Sequence, residues 1–170
     1  EHRTANLVAE ALSSWGISVY RGMGKTGVVG RLDGDLGPGK MIGLRADMDA
    51  LPLQEHNNFA HSSRNPGKMH ACGHDVHTAI MLGVASVLAE RRQQLAGTVM
   101  FIFQPAEEGA PAGESGGAEL MLKEGVFADL KPAMMFGLHT NVDLPAGQIG
   151  YTSGPTAASA DEFAATLKGR

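Results

Sequence analysis

The sequence predicts an α/β domain with a largely parallel or mixed central sheet and helices on both faces. Three observations predict it. Apolar residues recur at helical spacing in three segments, short apolar and β-branched runs stand between them, and the two patterns alternate along the chain instead of segregating. With 170 residues, 43% of them hydrophobic and 19% charged, the chain can bury one sizeable core and is not composed like a disordered one.

Each element follows in order. Leu7, Val8, Ala11, Leu12 and Trp15 predict a helix over 3–15, with Gly16 as its stop. "ISVYR", "GVVGRL" and "KMIGLRA" read as strands, separated by "GMGKT" and by "DGDLGPG" at 33–39. The density of turn residues in the second separator predicts a hairpin there. From Thr78 to Leu95, the residues Ile80, Met81, Val84, Val87 and Leu88 predict a mostly buried helix, closed by Gly97. "TVMFIF" at 98–103 is then a buried strand, "GGAELMLKEGV" a helix and "AMMFGL" at 133–138 a strand. "GQIGYTS" and "DEFAATLKG" carry the pattern of two further strands.

Composition narrows the function. A net charge of −4 without a basic block advertises neither nucleic acid nor an anionic membrane as partner. No apolar run reaches the roughly 18 residues of a membrane span, and the start lacks a signal-peptide core. The single cysteine, Cys72, forms no internal disulfide, which suits a reducing, cytoplasmic compartment. It is a buried small hydrophobe, a reactive thiol or a metal ligand. The first residues read as mid-helix and the last as strand, so a piece of a longer protein is expected.

Two glycine motifs are set aside. Gly22–Gly27 satisfies GxGxxG and Gly34–Lys40 satisfies GxxxxGK, but each precedes a β-like run instead of a helix N-terminus. Met41 also stands where a phosphate loop needs Ser or Thr. Turn glycines explain both.

The chemistry is concentrated elsewhere. Asp47 and Asp49 follow "MIGLRA", Glu107 and Glu108 follow "TVMFIF", His139 follows "AMMFGL", and Cys72 with His74 opens a helix. In a parallel sheet, groups placed just after strands gather at one sheet edge, where ligands bind. Adjacent carboxylates repel unless a proton or cation compensates, and the Glu107–Glu108 pair follows an apolar strand where screening is expected to be limited. Thiolate, imidazole and carboxylate together suit zinc and, with more carboxylate weight, manganese, cobalt or nickel. His2, His56 and His61 lack such company and read as surface residues. His77 is placed to orient a ligand, and His70 to cap the loop.

In the blocks "GLRADMDALPLQE", "MHACGHDVHTAIMLGVA", "FIFQPAEEG", "GLHTN" and "GQIGYTSGPTAASADEF", the chain resembles the amidohydrolase branch of the M20 metallopeptidases. That branch includes hippurate, N-acyl-amino-acid and auxin-conjugate hydrolases. The resemblance implies a zinc-exopeptidase catalytic domain of the phosphorylase/hydrolase-like fold. It also implies two divalent metal ions, zinc or manganese, with cobalt or nickel as alternatives. At matching positions it makes Cys72, His74, Glu108 and His139 metal ligands, with the Cys72 sulfur bridging, and Glu107 the catalytic base. Asp47, Asp49 and His77 stand behind them as supporting groups. Such ions acidify a bound water and polarise an amide carbonyl, and a glutamate beside them accepts the proton and passes it to the leaving amine.

By the same resemblance, residues 1–160 are the N-terminal portion of the catalytic domain and 161–170 the start of a lid and dimerisation domain. The rest of the lid, and a further ligand histidine beyond it, fall outside these residues. A homodimer through that lid, a small N-acyl amino acid substrate and an isolated chain without turnover are expected. The loop "GAPAGESGGAE" is longer than in compact family members and bears on the acyl pocket. Two alternatives stay open: a dipeptidase or deacylase of another M20 branch, and a non-catalytic metal-binding domain on the same fold.

Overall fold

The structure, a computed structural model, describes residues 1–111, 113–129, 131–156, 163 and 165–169. They fall into two units, Glu1–Thr140 and Asn141–Arg170. The first opens with helix α1 (His2–Ser14), which buries Ala5, Val8, Ala9 and Leu12 along one face. Strands β1 (Ser18–Met23) and β2 (Gly27–Asp33) form an antiparallel hairpin across "GMGKT". Gly22, Gly24 and Lys25 take positive φ in that turn, so the glycine motif is turn chemistry, as its sequence context predicts.

The hairpin expected at 33–39 does not form. Strand β4 (Thr98–Gln104) lies between β2 and β3 (Met41–Asp47), antiparallel to the first and parallel to the second. Residues 34–37 instead bind the turn before β4, through Gly34 N–H to Gly97 O at 2.8 Å and Leu36 N–H to Leu95 O at 3.0 Å. The reason lies in β4. Its residues Met100–Gln104 are all buried, a pattern that requires cover on both faces and a partner on both edges. The strand order is therefore β1-β2-β4-β3-β5, with β5 (Met134–Gly137) parallel to β3 at an open edge.

Helix α2 (His74–Glu90) links β3 to β4, and α3 (Gly117–Lys123) links β4 to β5. The two crossovers run in opposite directions along the sheet, so right-handed connections place them on opposite faces. Alternation along β4 agrees: Phe101 and Phe103 join the core beneath α1 and α2, while Met100 and Ile102 join Met121 of α3. The expected mixed sheet with helices on both faces is thus present. Two details differ from the sequence reading. Helix α2 begins at His74, before Thr78, and Ile80, Val84 and Val87 remain exposed while Met81 and Ala85 are buried. A 3₁₀ turn at Arg92–Gln94 takes up the chain before Gly97.

In the second unit the described residues form no helix or strand. The strand expected in "GQIGYTS" is absent, and Ile149 and Tyr151 are almost wholly exposed, with no ladder partner to hold an extended run. Of the strand expected in "DEFAATLKG", the described residues 163 and 165–169 form none, while 161, 162 and 164 and the domain boundary at 160/161 lie outside the described residues.

Candidate metal centre

Strands β3, β4 and β5 are parallel and in register, Asp47 opposite Gln104 and Arg45 opposite Gly137, so their carboxyl ends finish at one level. The chain leaves β3 toward one face and β4 toward the other, which opens a crevice between their ends. There the structure gathers residues whose sequence positions span 47 to 140.

His74 is the hub. Its ring is fully buried, and Asp49 Oδ1 lies 3.2 Å from its Nδ1. Asp49 Oδ2 accepts the Glu108 backbone N–H at 2.9 Å, so one buried carboxylate fixes both the imidazole and the glutamate turn. With Nδ1 donating to Asp49, Nε2 presents a lone pair. It has no hydrogen-bond partner among the described residues, and Asp47 Oδ2, Glu108 Oε1 and Glu107 Oε2 stand 3.8, 3.8 and 3.9 Å away. Acceptors facing a buried imidazole nitrogen favour a proton or a cation between them.

Among the described residues, three groups have the spacing to hold a metal ion: Cys72–His74–His139, Asp47–His74–His77 and His74–Glu107–Glu108, with ligand atoms within 4.8 Å of one another. His74 is common to all. The donor set, one thiol with imidazoles and carboxylates, fits a borderline or hard divalent ion.

Cys72 and His139 meet from different elements, Sγ 3.3 Å from Nε2. Gly73 makes this approach feasible. Its φ is +87°, and a Cβ there would collide with the Thr140 hydroxyl. Burial, a hydrogen bond to Glu108, and the charges of Glu108, Glu107 and Asp47 push the Cys72 thiol up to about 11. A cation among those carboxylates would reverse that pressure, because a metal favours the thiolate outright.

His77 has both ring nitrogens engaged. Nδ1 donates to Asp47 Oδ1 at 2.6 Å, and Nε2 accepts the Thr140 N–H at 2.9 Å. Burial alone would raise the Asp47 pKa, but the His77 hydrogen bond, Arg45 and His74 outweigh it and hold the carboxyl below its ordinary value. Arg45 reaches Asp47 Oδ2 at 3.1 Å and Gln104 Oε1 at 2.8 Å.

The glutamate pair is presented by a strained turn. Ala106, at φ +48°, turns the chain sharply after β4, and its N–H donates to Glu1 Oε1 at 3.2 Å. Gly117, at φ +62°, packs against the Ala106 carbonyl where any Cβ would intrude to 2.7 Å. Contrary to the sequence expectation, Glu107 and Glu108 are exposed, so solvent screens their repulsion; the desolvated member of the group is His74.

Cys72, His74, Glu107, Glu108, His139, Asp47, Asp49 and His77 are therefore all brought to one place. Among the described residues the His70 side chain makes no capping hydrogen bond, and its carbonyl accepts the Gly73 N–H at 3.4 Å. His2, His56 and His61 are exposed, as expected. The sequence reading missed Arg45, Gln104 and Thr140. Only their position inside the quoted blocks pointed to them, since nothing in their residue types announces a metal.

An α/β domain whose sheet end gathers these groups is a candidate metal-centre domain, and comparison with known proteins gives the family. Peptidase family M20/M25/M40 matches residues 43–167, and the chain belongs to that family. It is 43% identical over its whole length to an N-acyl-L-amino acid amidohydrolase of Geobacillus stearothermophilus, of which it covers 44%. Identity to the IAA-amino acid hydrolase ILR1-like 4 of Arabidopsis thaliana is 42%, over the whole chain and 37% of the relative. A crystal structure of a Bacillus subtilis protein, described as a dinuclear metal binding peptidase from the M20 family, superposes with a TM-score of 0.80. That match has 43% identity and covers 91% of this chain and 41% of that one. The chain thus spans less than half the length of these relatives.

Proposed function

We propose that this chain is the N-terminal portion of the catalytic domain of a metal-dependent amidohydrolase that cleaves the amide bond of N-acyl amino acids. One observation carries the reading: the buried Nε2 of His74, without a hydrogen-bond partner among the described residues, faces three carboxylate oxygens at 3.8 to 3.9 Å. Cys72, His74, Glu108 and His139 would hold two divalent ions, zinc or manganese. When bound, such ions supply a more acidic water and polarise the scissile carbonyl.

The chain's own residues do the rest. Asp49 orients His74 and the Glu108 backbone together. Glu107, exposed and so open to substrate, takes the proton of the attacking water on its carboxylate and delivers it to the leaving amine nitrogen. Residues 1–160 belong to that catalytic domain and 161–170 begin a lid that would also dimerise the protein in the cytoplasm. The relatives named for N-acyl amino acids and amino acid conjugates support the substrate class.

The test uses the whole protein on a panel of N-acyl amino acids and free dipeptides, before and after chelation. Turnover of the acyl amino acids, lost to chelator and regained with zinc or manganese, is expected. Chelator-insensitive turnover, or a preference for free dipeptides, would refute the reading.

A further inference from the structure

We propose, resting on the metal-centre reading above, that Thr140 is a positioning residue that locks the Cys72 loop and His139 into one frame. Thr140 uses every polar atom it has. Its hydroxyl donates to the Cys72 carbonyl at 3.2 Å, its N–H donates to His77 Nε2 at 2.9 Å, and its carbonyl accepts His139 Nδ1–H at 2.7 Å.

Each bond fixes something different. The bond to His77 makes that ring the Nδ1–H tautomer, whose proton goes to Asp47 Oδ1 at 2.6 Å. Asp47 is held in turn by Arg45 at 3.1 Å, and Arg45 by Gln104 at 2.8 Å, so the chain of contacts is anchored on β3 and β4. The bond from His139 leaves its Nε2 as the unprotonated acceptor nitrogen, 3.3 Å from Cys72 Sγ. The hydroxyl closes the frame, tying to Cys72 a residue 68 positions away. Against Gly73 there is no room for a shifted loop, because even a Cβ on Gly73 would strike the Thr140 hydroxyl. Two candidate ligands from separate elements are thus aligned by one residue that is itself no ligand, its backbone carbonyl holding His139 and its hydroxyl holding the Cys72 carbonyl, the arrangement by which supporting hydrogen bonds tune a metal site.

Thr140→Val removes the hydroxyl while keeping the branched shape and both backbone bonds; Thr140→Ser restores it. In the whole protein, titrated with zinc or cobalt(II) alone, Thr140→Val is expected to bind about 10- to 100-fold more weakly and Thr140→Ser close to wild type. With cobalt, the thiolate-to-metal charge-transfer band of Cys72 weakens or shifts in Thr140→Val and recovers in Thr140→Ser. A merely structural role would lower the melting temperature without moving that band. Should Thr140→Val not fold, Thr140→Ala removes the same hydroxyl and carries the same comparison. Wild-type affinity and an unchanged band in the hydroxyl-less variant would overturn the inference while leaving the proposed function intact. Absence of metal binding by the wild type would overturn both.

Discussion

Asp49→Asn separates a supporting carboxylate from a filler. Asp49 accepts two hydrogen bonds on its two oxygens, from His74 Nδ1 at 3.2 Å and from the Glu108 N–H at 2.9 Å. Asparagine has one acceptor and one donor end. Whichever way the amide turns, its NH₂ group faces a donor, so either His74 or the glutamate turn is released. A hydrogen bond to a charged group is worth about 1.5–3 kcal/mol, and every 1.4 kcal/mol is about tenfold in affinity. Because a buried His74 and a candidate ligand turn depend on that one side chain, metal affinity is expected to fall by about 10- to 100-fold. Zinc competition against a chelator of known affinity, with thermal melting as the folding control, measures this. An affinity within about twofold of wild type, in a folded protein, would refute the reasoning that Asp49 holds His74 for a metal.

Glu107→Gln keeps the shape of a residue proposed as base and not ligand; metal content is expected to stay while turnover of an N-acyl amino acid drops about 10²- to 10⁴-fold. Near-normal turnover would move the base elsewhere. Gly73→Ala forces a Cβ onto a residue at φ +87° and against the Thr140 hydroxyl; strain of about 1–3 kcal/mol and a lost hydrogen bond of about 1 kcal/mol predict roughly 2–4 kcal/mol of destabilisation. Urea denaturation reads this directly, and a loss under about 0.5 kcal/mol would contradict the crowding seen there. The 170-residue chain alone, which spans 44% of the Geobacillus relative, is expected to show no turnover beside a metal-loaded whole protein; equal turnover would contradict the proposed dependence on a lid.

What the sequence made legible was what local pattern encodes. The apolar run of β4, the face of α1 and the placement of acidic groups after strands all depend on neighbours in the chain, and all are present. Strand pairing is not local. The turn residues of 33–39 look like a hairpin, yet β4, more than sixty positions on, displaces β3 from β2 because a fully buried strand must be central. Periodicity also left open which apolar face of α2 is covered, and Ile80, Val84 and Val87 are exposed. In the site, Cys72, His74 and the glutamates announced themselves by donor chemistry. Thr140, Arg45 and Gln104 did not, since their role arises only where the ends of β3, β4 and β5 converge.

Counting metal ions by native mass spectrometry of the whole protein, loaded with zinc or manganese, tests the central claim most directly. The account predicts two ions per chain in the wild type and loss of metal in Cys72→Ser, since a hydroxyl is a far poorer ligand than a thiolate for these ions. No metal in the wild type, or two ions retained undiminished in Cys72→Ser, would contradict it.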